Sequence, residues 1–180
     1  MSGFSNPPRY AAETARDYVA SLLALLGNRD PFDVMAATPG ALHEATAGLS
    51  EEEARRPEAE GKWSVQQVVR HLADSELVYG YRIRLIVADE EPPIPGYDQD
   101  AWATRLGYHS GTLEEALDDV TALRAMNLRW FRDRTLDEMD RVGHHNERGA
   151  ESVLHIARLL AAHDLLHLRQ IARIRAGLGV

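Results

Sequence analysis

Residues 152–178 read SVLHIARLLAAHDLLHLRQIARIRAGL, and this stretch decides the fold. Val153, Ile156, Leu160, His163, His167, Ile171, Ile174 and Leu178 follow one another at steps of three or four, the period of a single buried helix face. The helix should run from about Ser152 to Gly177, the expected C-cap. An apolar stripe this long must be laid against other helices. Two of its core positions carry imidazoles where leucines would otherwise serve.

Upstream, the same period recurs. Ser64 with Gln67 forms a capping box, and Val65, Val68, Leu72, Tyr79, Ile83 and Ile86 then carry a helix to about Asp89. Thr112 with Glu115 opens another, bearing Leu113, Leu117, Val120, Leu123, Asn127 and Trp130 to about Arg134. A further helix is expected over residues 9–27, with Ala15, Tyr18, Leu22, Leu25 and Leu26 on one face. Residues 28–63, interrupted by Pro31, Pro39 and Pro57, read as a helical connection with short helices after Thr38 and Ser50. The Pro-rich segment from Glu91 and a short turn near Asp98–Thr104 make residues 91–111 a long crossover, so the helices on either side of it should run parallel. The expectation is an all-α chain, a single domain over residues 1–180 with four long helices and little else.

Composition narrows the function. The 180 residues carry 20 Lys+Arg against 28 Asp+Glu, a formal charge of −8 that argues against nucleic acid as a partner. The longest uncharged apolar run, Tyr18–Asn28, is too short to cross a bilayer. The first residues lack a signal-peptide pattern, so a cytoplasmic location is expected. With no Cys there are no disulfides and no thiolate chemistry of the chain's own. Eight His, carboxylates and hydroxyls remain.

His163 and His167, four apart on one helix, point the same way, and His71 holds a similar position between Val68 and Ser75. Three neutral imidazoles from two facing helices would form a tripod with an open coordination position, the arrangement of a catalytic metal site. Hydrogen-bonded core histidines are the alternative that spacing leaves open. Asp74, Asp164 and Gln170 are placed to orient an imidazole or a bound water, although both Asp could equally be solvated surface charges. Asn127 could line the pocket or make an interhelical hydrogen bond. Arg82 reads as a structural partner of a buried carboxylate, and His145 and Glu147 as loop residues fixing the lead-in to the last helix, with His144 beside them. Ser75, His71 and Asp74 do not make a hydrolase triad, because a regular helix supplies no oxyanion hole. The catalytic residues themselves are unknown at this level.

The segments Trp63-Ser-Val-Gln-Gln-Val-Val-Arg-His71-Leu-Ala-Asp-Ser-Glu76 and Ala162-His163-Asp-Leu-Leu-His167-Leu-Arg-Gln170-Ile171 resemble the two signature stretches of the DinB/YfiT-like family of metalloenzymes. The likeness extends to Arg82, to Asp98–Trp102 and to His145–Gly149, where Asn146 replaces an expected Pro. The resemblance implies an up-down-down-up four-helix bundle, often a homodimer. It also implies a divalent metal, commonly zinc or nickel, on His71, His163 and His167. Relatives of this kind include S-transferases and isomerases that use a low-molecular-weight thiol. Two activities on a small-molecule substrate are therefore expected, thiol S-transfer and hydrolysis, with a non-catalytic metal- or ligand-binding stress-response module as the alternative.

Overall fold

The computed structural model describes residues 12–180, with side chains from Arg16 onward. The elements in order are α1 (Ala12–Leu26), α2 (Pro31–Thr46), α3 (Glu51–Arg55), α4 (Val65–Ala88), β1 (Pro93–Ile94), α5 (Gln99–Arg105), α6 (Leu113–Arg132), α7 (Leu136–Asp140), β2 (Val142–His145), β3 (Gly149–Ser152) and α8 (Val153–Leu178). The expected helix start at residue 9 and the side chain of Ala15 lie outside the described residues.

Four helices, α2, α4, α6 and α8, close a ring in which each packs on two neighbours. Their directions follow from which ends meet. Arg70 on α4 pairs with Glu115 and Asp119 on α6, while further along Arg84 meets Asn127 and covers the Trp130 ring, so α4 and α6 are parallel. Thr38 meets Asp164, and Arg175 donates to Ala45 O, so α2 and α8 are parallel as well. Val65, Val68 and Leu72 share a core cluster with Ile171 and Ile174, whereas Ile83 and Ile86 share the other with Val153 and Ile156, which makes α4 and α8 antiparallel. The topology is up-down-down-up, and the long crossover is what permits it.

The first helix of this ring corrects the reading of the sequence. It is α2, not α1, which lies outside the ring against α8. Residues 31–46 form one unbroken helix instead of a connection with a short helix starting at Thr38. Asp30 caps it by accepting from the Phe32 and Asp33 amides, and Pro31 sits in the first turn, where a missing N–H costs nothing. Pro39 is internal and cannot donate to the carbonyl of Met35. That carbonyl accepts from Arg124 instead, at 2.7 Å. A side chain from a neighbouring helix thus repairs the ladder, a rescue no local pattern could announce.

The capping boxes expected at Ser64/Gln67 and Thr112/Glu115 are present, and α3 begins with a third at Ser50/Glu53. A fourth, Thr135/Glu138, starts the short α7, which the sequence reading did not anticipate. The α8 helix runs through Gly177 and ends at Gly179, whose φ of 74° suits a residue without Cβ. A small sheet also departs from the expectation of helices and little else. β1 pairs parallel with β2, and β2 antiparallel with β3, tying the crossover to the lead-in of α8. None of the three strands has the apolar alternation that announces a strand. Gly143 lets the sheet sit close: a Cβ there would lie 2.7 Å from Ile94 Cδ1 and 2.8 Å from Ile86 Cγ1.

Candidate metal centre

His71 stands on the buried face of α4 two turns from its capped start, and His163 and His167 stand one turn apart on the facing stretch of α8. Their Nε2 atoms converge. His163 Nε2 lies 3.0 Å from that of His71 and 3.0 Å from that of His167, and all three ligand atoms fall within 4.8 Å of one another. All three rings are buried, His71 most completely. Trp63, the residue before the α4 cap, covers the His71 ring at 5.0 Å, and Tyr79 approaches His163 at 6.5 Å.

Protonation within the cluster is constrained. Gln170 Oε1 accepts from His167 Nδ1 at 2.7 Å, which leaves the His167 Nε2 lone pair facing inward. A hydrogen on His163 Nε2 can serve His167 or His71, and any other placement of hydrogens sets two lone pairs or two hydrogens against each other. Three nitrogens at these distances cannot satisfy one another fully, whereas one cation could accept three lone pairs. Nitrogens held about 2.0–2.1 Å from a tetrahedral ion stand about 3.3 Å apart, a few tenths of an ångström wider than the two 3.0 Å separations that His163 makes. Burial, with the neighbouring imidazoles adding to it, pushes His71 and His167 well below the ordinary imidazole range. His163 is lowered to about 4 by burial and by the Arg124 charge. At neutral pH the lone pairs are free. His71 Nδ1 and His163 Nδ1 are buried without a protein partner, so only His167 is oriented by a second residue.

The other candidates divide. Asp164 is buried and far from solvated, but its carboxylate faces away from the imidazoles. It receives Arg124 NH1 at 2.7 Å and NH2 at 3.0 Å, and lies 2.9 Å from Thr38 Oγ1. Asp74 accepts from the Tyr108 hydroxyl at 2.5 Å. Asn127 makes the interhelical hydrogen bonds, donating to Glu76 O and Oε2 and accepting from Arg84. Ser75 Oγ donates to His71 O at 2.8 Å, so its one hydrogen is engaged by its own helix. Arg82 does not meet a carboxylate: it donates to Pro95 O at 2.6 Å and lies over the Tyr79 and Tyr97 rings. His145 accepts from the Glu147 amide at 3.1 Å, a local clasp ahead of β3, while His144 pairs with Glu91 at the surface.

Sequence reasoning passed over Arg124. It makes four hydrogen bonds, Nε and NH2 to Glu76 Oε1, NH2 to Asp164 Oδ1 and NH1 to Met35 O, and NH1 also ion-pairs with Asp164 Oδ2 at 2.7 Å. Burial opposes its charge, yet Asp164 and Glu76 more than restore it and raise its pKa. The network joins all four bundle helices directly behind the histidines, since Asp164 follows His163 in the chain. The signal was available. Arg124 and Glu76 are charges set in apolar helical stripes, four residues after Val120 and Leu72 respectively.

An up-down-down-up bundle built around a buried convergent histidine triad defines a class of cation-site helical proteins. The chain belongs to the DinB superfamily, whose model matches residues 35–171. A protein of Oceanobacillus iheyensis named "Putative metal-dependent hydrolase OB0782" is 30% identical over 76% of this chain and 78% of that one. A Geobacillus thermodenitrificans protein of the same general name is 28% identical over 71% of this chain and 62% of its own length. Among solved structures, YfiT from Bacillus subtilis, described as a probable metal-dependent hydrolase with an unusual four-helix bundle topology, is similar in fold. Its TM-score is 0.76 at 21% identity, over 98% of this chain and 94% of that one. Among the described residues, no helix is long and apolar enough to cross a membrane.

Proposed function

We propose that this protein is a metal-dependent hydrolase of a small molecule, with one divalent cation held by His71, His163 and His167. The observation that carries the reading is the convergence of three buried, neutral Nε2 atoms that cannot satisfy one another. The names of the relatives favour water over a thiol as the attacking group. When bound, the ion would supply Lewis-acid activation, lowering the pKa of a coordinated water toward about 7. The chain's residues do the rest. Gln170 fixes the His167 tautomer, and burial keeps protons from competing for the lone pairs. The Arg124 network holds α4 and α8 in the register that sets the three rings together. Tyr97, pushed up to about 12 by burial, stays protonated beside Ser75 and is a standing hydrogen-bond donor near the centre.

Metal content and turnover test this together. The purified protein should bind about one zinc or nickel ion per chain and hydrolyse members of a panel of activated esters and amides. His71→Ala, at equal free metal, should lose the rate and keep its helical circular dichroism. Equal rates in the two proteins would reject the hydrolase. A parallel arm with a small thiol and an electrophile shows whether the nucleophile is sulfur instead.

A further inference from the structure

Arg82 is a buried charge without an opposite charge. The residue is 2% exposed, and among the described residues no carboxylate lies within ion-pair reach of it. One nitrogen donates to Pro95 O, the Tyr79 and Tyr97 rings hold the guanidinium carbon at 5.4 and 5.9 Å, and Nε is buried with no partner. An unpaired guanidinium in such surroundings is costly, and proteins ordinarily neutralise one.

A second unsatisfied donor flanks the same turn. His145 is 3% exposed, and its Nδ1 accepts from the Glu147 amide, which puts the ring hydrogen on Nε2. That atom, too, is buried without a partner. The turn that Arg82 grips at Pro95 continues into Gly96, where a Cβ would stand 3.5 Å from His145 Cε1, the carbon between the two ring nitrogens. Glu151, the buried carboxylate of this region, is engaged by Arg148 at 2.5 and 2.9 Å. Glu147 Oε1 would stand equally close to that Cβ at Gly96, at 3.5 Å, but Glu147 is exposed. Among the buried and half-buried groups Arg82 and Arg148 against Glu151 leave one positive charge in excess, which matches a monoanion better than a phosphate dianion.

We propose that Arg82 and His145 form an anion site in the bundle that receives the carboxylate of a small molecule, distinct from the three-histidine centre. Tyr79 links the two places. It lies 5.4 Å from the Arg82 guanidinium carbon and 6.5 Å from the His163 ring, so the two are at most 11.9 Å apart, the distances laid end to end. A small molecule of that length would set its carboxylate at Arg82 and its reacting bond toward the histidines. As a statement about substrate this rests on the hydrolase reading; as an anion site it does not.

The test uses the full chain labelled with 15N. Sodium acetate is titrated against sodium chloride at constant ionic strength, in the metal-loaded protein and in His167→Ala, while the arginine Nε–H resonances are followed. The Arg82 resonance, assigned by its loss in Arg82→Lys, should move saturably with millimolar acetate in both proteins. Arg82→Lys and His145→Phe should each weaken acetate binding at least tenfold by calorimetry. Absence of a saturable shift in any arginine Nε–H resonance, or unchanged affinity in His145→Phe, overturns the site, and neither result depends on the folding of Arg82→Lys. Inorganic phosphate binding tenfold more tightly than acetate overturns the carboxylate assignment. Loss of the shift in His167→Ala alone would place acetate on the histidine centre and overturn a separate site. A shift in both proteins with no hydrolysis anywhere leaves the anion site standing and removes the hydrolase.

Discussion

Gln170 Oε1 sits 2.7 Å from His167 Nδ1, one helical turn along α8, and that contact decides which nitrogen of His167 faces the centre. Without it the imidazole is free to present its hydrogen inward, as His71 and His163 are. Gln170→Ala should therefore weaken zinc binding about 10- to 100-fold while leaving the helical content unchanged. Competition against a chromogenic chelator measures it. An unchanged affinity would mean that packing alone orients the ring.

Acid should destabilise the metal-free protein in a defined window. His145 and His163 are both held near 4 in the fold, the first by burial and then Arg148, the second by burial and then Arg124. In the unfolded chain each titrates near 6.5. The unfolded state thus binds more protons, so the stability tied to these two groups is full above about pH 6.5 and is lost as pH falls toward 4. Each contributes up to roughly 3 kcal/mol over the full window. Urea denaturation at pH 7.5, 6 and 5 should show a falling midpoint, and a midpoint constant over that range would contradict the burial of neutral imidazoles.

Arg124 should be among the least replaceable residues. Arg124→Met leaves two buried carboxylates and the Met35 carbonyl without their partner, and a loss of about 3–5 kcal/mol is expected. Because Pro39 is the reason that carbonyl needs a partner, Pro39→Ala should recover about 1 kcal/mol or more in the Arg124→Met background. It should recover less in the wild type, where the carbonyl is already served. Thermal melts of the four proteins of this double-mutant cycle supply the coupling, and additive effects would disconnect the two sites.

Gly143→Ala tests the seating of the small sheet. Its new methyl would press on Ile94 and Ile86, and overpacking of this kind costs about 1–3 kcal/mol. A melting temperature equal to wild type would show that the sheet can lift without penalty.

The parts of this molecule legible in the sequence are those encoded locally. The capped starts at Ser64 and Thr112, the stripe from Val153 to Leu178 and the i,i+4 spacing of His163 and His167 all declare themselves within a few residues. The parts that did not declare themselves depend on distant partners. Pro39 reads as a break until Arg124, 89 residues away from Met35, supplies the missing donor. Asp164 reads equally as a group orienting the site or as a solvated charge, because its neighbours in the chain do not reveal the guanidinium arriving from α6. Gly143-His-His145 gains strand geometry by pairing with Pro93–Ile94 and the 149–152 segment, not from any alternation of its own.

His71 and His163 are separated by 92 residues of chain, and the carboxylate of Asp164 that steadies Arg124 arrives on the same helix as His163. During synthesis the ring of helices is therefore incomplete until its final member emerges, with Arg124 short of one counter-charge and His71 alone on its face. A lone imidazole holds a divalent ion poorly, so cation capture is deferred to the moment the bundle closes. Metal uptake then doubles as a timestamp of completed folding, and pulse-chase labelling with a radioactive zinc isotope should find the ion on chains that include α8 while nascent chains that stop short of it stay unlabelled.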